Sequence, residues 1–379
     1  MYDAIVCGAG PAGSVAATVL ARGGARVLLL DRARFPREKL CGDTMNPGTV
    51  AILRRLELTG GFEADALPVH GMIVTGERGV RVRAEYGKDA RGFAILRRTL
   101  DAALVGAAAA AGARLEEGVL VRGPLLSAGR VRGVVIAGRD GGDVRVPAPL
   151  VIAADGRRSR VALPLGLARH PRRPRRWAIG AYFDAVADLT AFGEMHVRRG
   201  RYLGIARVPS AEQRSANVCL VVPGGDGLAD PSGLLLRAIE SDPQVRERFA
   251  GARMTTAPVV LGPLAVDVPV PGAPGLLLAG DAAGFIDPMT GDGLRFAVRG
   301  GELAAEVGLA ALAGTLAEPH VRLARLRRRE FAAKWRFNRV LRALVSRGMT
   351  VELAGVAAAA APWILRRTIA FAGDSAIED

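Results

Sequence analysis

The sequence predicts an α/β fold in which a parallel sheet carries glycine-rich turns, an antiparallel sheet is inserted into it, and the C-terminus is helical. Three observations predict it. An apolar run over residues 2–7 enters Gly8-Ala9-Gly10-Pro11-Ala12-Gly13, and a second run follows over 25–31. Near the middle stands Val151-Ile152-Ala153-Ala154-Asp155-Gly156. Late in the chain an apolar run over 276–279 enters Gly280-Asp281-Ala282-Ala283 and then Pro288-Met289-Thr290-Gly291-Asp292-Gly293. The first signature alone indicates a Rossmann-type dinucleotide site; the three in this order indicate bound FAD and a redox enzyme.

The first unit reads as strand, turn and helix, which sets backbone N–H groups and a helix N-terminus against a pyrophosphate. Gly8 permits the tight turn, Gly10 lets the backbone approach phosphate, and Gly13 lets the helix pack on the strand. Asp31, with Arg32 beside it, closes the second strand where a carboxylate can accept from ribose hydroxyls. In the third unit Gly280 admits close backbone approach and Asp281 reaches a ribityl hydroxyl or caps the turn. Gly291, Asp292, Gly293 and Leu294 open a helix through 296–309 whose positive end suits the negative charge of reduced flavin. Asp292 reads equally as a cap or as a group serving flavin protonation.

Between these units lie strand-rich insertions. Residues 70–86 read as a hairpin, and 177–186, 193–197, 202–208 and 217–222 alternate as an antiparallel sheet is expected to. The predicted division is an FAD-binding domain from 1–66, 91–165 and 258–318, a substrate domain from 67–90 and 166–257 that roofs the flavin, and a helical region over 319–379. His196 falls on a roof strand and reads more readily as a satisfied sheet residue than as a cavity group.

Composition narrows the function classes. Half the residues are apolar, and a length of 379 residues allows a large core. The three cysteines, Cys7, Cys41 and Cys219, lack the spacing of a disulfide framework or a metal site, so no metal is expected and a reducing cytoplasm fits. The strand at residue 2 leaves no room for a signal peptide. The net charge of +15 comes from 52 basic residues of which three are Lys (Lys39, Lys88, Lys334), scattered with no nucleic-acid module, so nucleic-acid binding is not expected. The apolar stretch 353–365 is short for a spanning helix and broken by Pro362, whereas the Arg-rich 321–347 reads as a basic amphipathic helix able to touch a membrane surface.

The motifs over residues 1–310 resemble the superfamily that holds class A flavin monooxygenases, flavin halogenases and geranylgeranyl reductases, which implies a glutathione-reductase-type fold. Phe35-Pro36-Arg37-Glu38-Lys39-Leu40-Cys41-Gly42-Asp43 is most similar to the Pro-x-x-Lys-x-Cys-Gly stretch of the geranylgeranyl reductase branch. Arg97-Arg98-Thr99-Leu100-Asp101 resembles the family's helix start and implies that Arg97 lies near the flavin; Val121, taken as the end of a strand over 118–121, matches the position that contacts adenine. The resemblance puts Cys41 in a loop facing the flavin, as a group that positions substrate or tunes proton transfer, or as a thiol that packs the loop. Asp43, Tyr202 and Asp292 are the other candidate active-site groups, and Lys39 an anchor for the loop or the phosphates. Asp43 stands where the family motif has a second Gly. The strand at 202–209 keeps Tyr202 and Pro209 of the Tyr-x-Trp-x-Phe-Pro strand that family members with lipid substrates carry but has no Trp, and it also lacks the Trp-x-Trp-x-Ile-Pro of halogenases.

The chemistry implied is reduction of a carbon–carbon double bond in an isoprenoid, quinone or polyketide-type substrate through hydride from flavin N5. The alternative is hydroxylation through a C4a-hydroperoxide; halogenation is less favoured. NAD(P)H is expected to visit the flavin transiently, because no second glycine-rich phosphate site is visible.

Overall fold

The computed structural model describes residues 1–39, 42–77, 79–87, 90–172, 175–212, 214–345 and 362–373. A six-stranded sheet holds Gly272–Ala273, Leu276–Leu278, Leu150–Ala153, Ala4–Cys7, Val27–Asp31 and Arg114–Glu117 in that order. All its pairings are parallel except the one between the first two strands. Strands buried on both faces need apolar side chains on both, and the chain supplies them. Ala4, Val6, Val27 and Leu29 face one core; Ile5, Cys7, Leu28 and Leu30 face the other.

The helices are α1 (Pro11–Arg22), α2 (Pro47–Arg55), α3 (Arg97–Ala110), α4 (Pro231–Glu240), α5 (Gly293–Leu312), α6 (Pro319–Val345) and α7 (Pro362–Gly373). Helices α1, α3, α5 and α6 cover the first face of the sheet. The second face is covered by a three-stranded antiparallel meander, Val121–Ser127, Arg130–Ala137 and Asp143–Pro147. Val121 therefore opens a strand rather than ending one. Arg114–Glu117 is a separate strand, and Gly118 between them takes φ +73°.

The second layer is an eight-stranded sheet built on Arg176–Asp184, Ala216–Pro223, Arg201–Arg207 and Phe192–Arg198. The hairpin Gly71–Thr75 and Arg81–Glu85 joins this sheet through a parallel pairing, Phe192 opposite Gly71 and Met195 opposite Val74. The sheet is thus mixed rather than wholly antiparallel. A chain that leaves after Thr75 and returns at Phe192 has room for the crossover that a parallel pair needs. Alternation along its strands sends Ile179, Ala181, Leu203, Ile205, Val218 and Leu220 outward under α4, and Ala178, Tyr202, Cys219 and Val221 inward toward the nucleotide-binding layer.

Candidate active site

The two layers enclose a cavity of about 250 Å³. On its floor is the first glycine-rich turn, where Gly10, Pro11 and Ala12 line the space. Gly8 has φ +94°, and a methyl group there would stand 2.5 Å from Ala154 O; one on Gly13 would stand 1.7 Å from Gly8 O. Helix α1 begins at Pro11 with no side chain capping it, so its first N–H groups face the cavity side of the turn.

Asp31 holds this turn in place. Its Oδ2 accepts from Ala9 N at 2.7 Å and its Oδ1 from Ala33 N at 2.8 Å. Arg37 reaches Asp31 with Nη1 (3.1 Å) and Asp101 with Nη2 (3.1 Å), and Arg97 grips the same Asp101 with two 2.8 Å bonds. Burial alone would raise the Asp101 carboxyl, but the charge and hydrogen bonds of Arg97, with Lys39 and Arg37, outweigh it and hold it below its ordinary range. Lys39 and Arg97 line the cavity. The Lys39 ammonium is open to the cavity yet crowded by protein, and this enclosure, with Arg97 and Arg37 alongside, pushes it down to about 8. Arg32 is exposed beyond the strand end. Cys41 lies outside the described residues.

The opposite wall comes from the third unit. Gly280 (φ +59°), Asp281, Pro288, Gly291 (φ +68°), Gly293 and Leu294 line the cavity, and Arg157 Nε lies 3.8 Å from Asp281 Oδ2. From the middle signature Ala154, Gly156 and Arg157 line it, while the Asp155 carboxylate accepts from Arg160 N at 2.8 Å, closing its own turn. Val121 is buried behind the sheet. Asp292 neither caps α5 through its side chain nor opens to the cavity. It is 1% exposed, and its Oδ1 accepts from Asn46 Nδ2 (3.1 Å) and Lys334 Nζ (2.9 Å).

Asp43 joins the floor to the roof. It adopts φ +48°, a left-handed conformation costly for a residue with a Cβ, and is 1% exposed. Its Oδ2 accepts from Tyr182 OH (2.6 Å) and Asn217 Nδ2 (2.5 Å) on two roof strands, and its Oδ1 from Arg97 N (3.2 Å). Burial pushes this carboxyl up to about 6 against the pull of those donors and of Arg97. Tyr202 lines the roof, but its hydroxyl donates to Asp287 Oδ1 at 2.5 Å; burial and that neighbouring carboxylate push it far above the usual phenol range. Asp287 Oδ1 in turn accepts from Met289 N, so Tyr202 anchors the Pro288–Thr290 turn. The ring of His196 points to the far side of the roof, engaged by Thr75 Oγ1 and Glu194 Oε2.

Several cavity residues carried no sequence signal of their own: Cys219, Asn217 and Met195 are one inward step of a strand pattern. Asn46, which caps α2 by accepting from Thr49 N, was signalled only by the Asn-Pro pair at a helix start. Among the described residues no cluster of His, Cys, Asp or Glu could hold a metal ion, and no helix is long and apolar enough to cross a membrane.

Close-approach glycines on two strand–turn–helix units, an uncapped helix N-terminus, and the cations Lys39, Arg37 and Arg97 beside it fit a dinucleotide with an anionic pyrophosphate. This fold and site define an FAD-dependent oxidoreductase. The FAD binding domain family matches residues 1–226. Digeranylgeranylglycerophospholipid reductase 1 of Methanopyrus kandleri is 33% identical over 321 residues, 82% of this chain and 81% of the relative. The myxobacterial chondrochloren halogenase CndH superposes with a TM-score of 0.83 at 24% identity over 96% of this chain and 90% of its own. A geranylgeranyl bacteriochlorophyll reductase-like protein from Thermoplasma acidophilum gives 0.78 at 24% identity, over 92% and 89% of the two chains. The chain belongs to the geranylgeranyl reductase family of FAD-dependent flavoproteins.

Proposed function

We propose that this protein reduces carbon–carbon double bonds in the isoprenoid portion of a lipid or quinone. The observation that carries this reading is the character of the cavity between the flavin motifs and the roof. Its wall there is mostly thioether and hydrocarbon, from Met72, Ala178, Met195, Leu264, Phe285 and Met289, which suits an alkyl chain and offers few groups to hold a polar ring. The reductase relative from Methanopyrus supports the same substrate class.

Bound FAD supplies the two-electron redox chemistry. The chain's own residues bind and orient. The first turn, with Lys39 and Arg37, holds the phosphates; Arg97 and Asp101 fix the floor; Asp43, Tyr182 and Asn217 clamp the roof over it and exclude water. Lys39 holds a proton at neutral pH at the cavity wall. The reductant in this proposal is a nicotinamide nucleotide that visits transiently.

Access of a lipid chain is served by the C-terminal helices. α6 exposes Arg322, Arg325, Arg328, Arg329, Arg336 and Arg339, and α7 exposes Trp363 at 59%, a basic and aromatic surface suited to peripheral contact with anionic lipid. Salt-sensitive sedimentation with phosphatidylglycerol vesicles, and not with phosphatidylcholine vesicles, is the expected behaviour.

Mass spectrometry of lipid extracts from host cells with and without the protein tests the reaction. A lipid gaining two hydrogens per event supports reduction. A product gaining one oxygen overturns it in favour of hydroxylation.

A further inference from the structure

The chain carries 52 basic residues but only three lysines. Two of the three fall within the described residues, and both stand at the flavin site: Lys39 in the cavity wall and Lys334 beneath the motif that opens α5. In a chain that uses Arg almost everywhere, a buried Lys marks a place where a guanidinium does not serve.

Lys334 is 3% exposed, on the inner face of α6. Its Nζ donates to Asp292 Oδ1 (2.9 Å), Phe371 O (2.8 Å) and Ala372 O (2.8 Å). Three acceptors around one nitrogen match the three protons of an ammonium; a planar guanidinium cannot present them to one point. The Phe371 ring stands 5.3 Å from the same nitrogen. Asn46 repeats the arrangement, donating to Asp292 Oδ1 and to Ala372 O.

These contacts place three electrostatic features at one junction. Helix α5 turns its positive N-terminal end toward Gly291 and Gly293 at the cavity. Asp292, the residue before its first turn, sets the carboxylate that Lys334 pairs with beside that end. Helix α7 brings its carbonyl end, also negative, to the same place. Burial chiefly, and then the nearby Asp292, push the Tyr86 phenol above its ordinary range, and Tyr86 lines the cavity. Without a cation here, Asp292 and the end of α7 would cancel the favourable potential that α5 offers to a negative charge developing on the flavin.

We propose that Lys334 is a positioning residue for the flavin: by neutralising Asp292 and the carbonyl end of α7, it keeps the N-terminal end of α5 positive toward the isoalloxazine and so favours reduced over oxidised cofactor. The inference rests on the flavin site and is independent of which substrate is reduced.

The test is the midpoint potential of bound FAD, by equilibration with reference dyes, in the full-length wild-type protein and in Lys334→Met, Lys334→Arg, Asp292→Asn and the double variant. Lys334→Met keeps the stem and removes the charge. Its expected effect is about a tenfold loss of preference for reduced flavin, a fall of roughly 30 mV for a two-electron couple. Lys334→Arg keeps the charge without the three-point geometry and falls between it and wild type. Asp292→Asn raises the potential, and the double variant returns toward the wild-type value because net charge at the junction is restored. If removing Lys334 prevents folding, Asp292→Asn decides alone. An unchanged potential in Asp292→Asn, or in a Lys334→Met protein that retains FAD, overturns the proposal. A substrate other than an isoprenoid would leave these shifts intact, so failure of the functional assignment is read separately.

Discussion

Replacing Asp43 by Asn changes how stability depends on pH, and the size of the change follows from the burial of that carboxylate. Folding raises the group from its ordinary 3.8 to about 6, chiefly by desolvation, with Tyr182, Asn217 and Arg97 pulling the other way. A carboxyl raised on folding adds stability that is fully present below its unfolded value and is lost as pH rises through its folded value. At about 1.4 kcal/mol per pH unit, the loss amounts to about 3 kcal/mol between about pH 4 and pH 7. An unfolding entropy of about 2.1 cal/mol/K per residue gives about 0.8 kcal/mol/K for the chain, so this corresponds to about 4 °C in Tm. Asn cannot titrate. Its amide also meets the Tyr182 and Asn217 donors less well, which costs about 1–3 kcal/mol at every pH. The diagnostic is therefore not the variant's Tm but the difference from wild type as a function of pH, at saturating FAD. That difference should move in favour of the Asp43→Asn variant by about 4 °C from about pH 4 to pH 7. A difference that stays flat would show that Asp43 is not buried as a strained carboxylate, and would refute the clamp between floor and roof.

Gly13→Ala drives a methyl group into Gly8 O and should abolish FAD retention, read as loss of flavin absorbance in purified protein; a yellow, stable variant would contradict the cradle. Lys39 is charged below about 8, so wild-type FAD affinity should weaken as pH rises past about 8, while Lys39→Arg should be flat through that range in fluorescence titrations. Tyr202→Phe removes the bond to Asp287 and should lower stability by about 1–2 kcal/mol in urea unfolding. Because the wild-type phenol stays protonated, a wild-type pH–rate profile with a basic limb that disappears in this variant would argue against the anchoring role.

Features that depend on one local backbone requirement were legible in the sequence. The Gly8–Gly13 turn, the Gly280 turn and the Gly291–Gly293 helix start each need glycine where a Cβ would collide or φ is positive, and all three stand at the cavity. Features that depend on facing were not. Strand alternation sends His196 to one side of the roof and Met195 to the other, and a register error of one residue exchanges them. The role of Asp292 was illegible for a different reason: its partners Lys334 and Asn46 are distant in sequence, and nothing local distinguishes an ion-paired aspartate from a cap. The meander over 121–147 was obscured by Gly123 and Pro124 in its first strand. The overlooked signal was Ala128-Gly129, both at positive φ, the two-residue turn that joins adjacent strands.

The strand order of the parallel sheet has a consequence for biosynthesis. Ala4–Cys7 is made before both of its neighbours, Val27–Asp31 and Leu150–Ala153, and the latter must itself be flanked by Leu276–Leu278. During translation Ala4–Cys7 waits with one edge unpaired until the second signature emerges, and the cavity cannot be closed until Gly293 has left the ribosome. Enclosure of the cofactor, and the stability that binding adds, therefore follow emergence of the third signature. A polypeptide truncated before the third signature has an open sheet edge at Leu150–Ala153 and lacks the Gly280 and Gly291–Gly293 wall of the cavity, a product fit for proteolysis rather than for partial function.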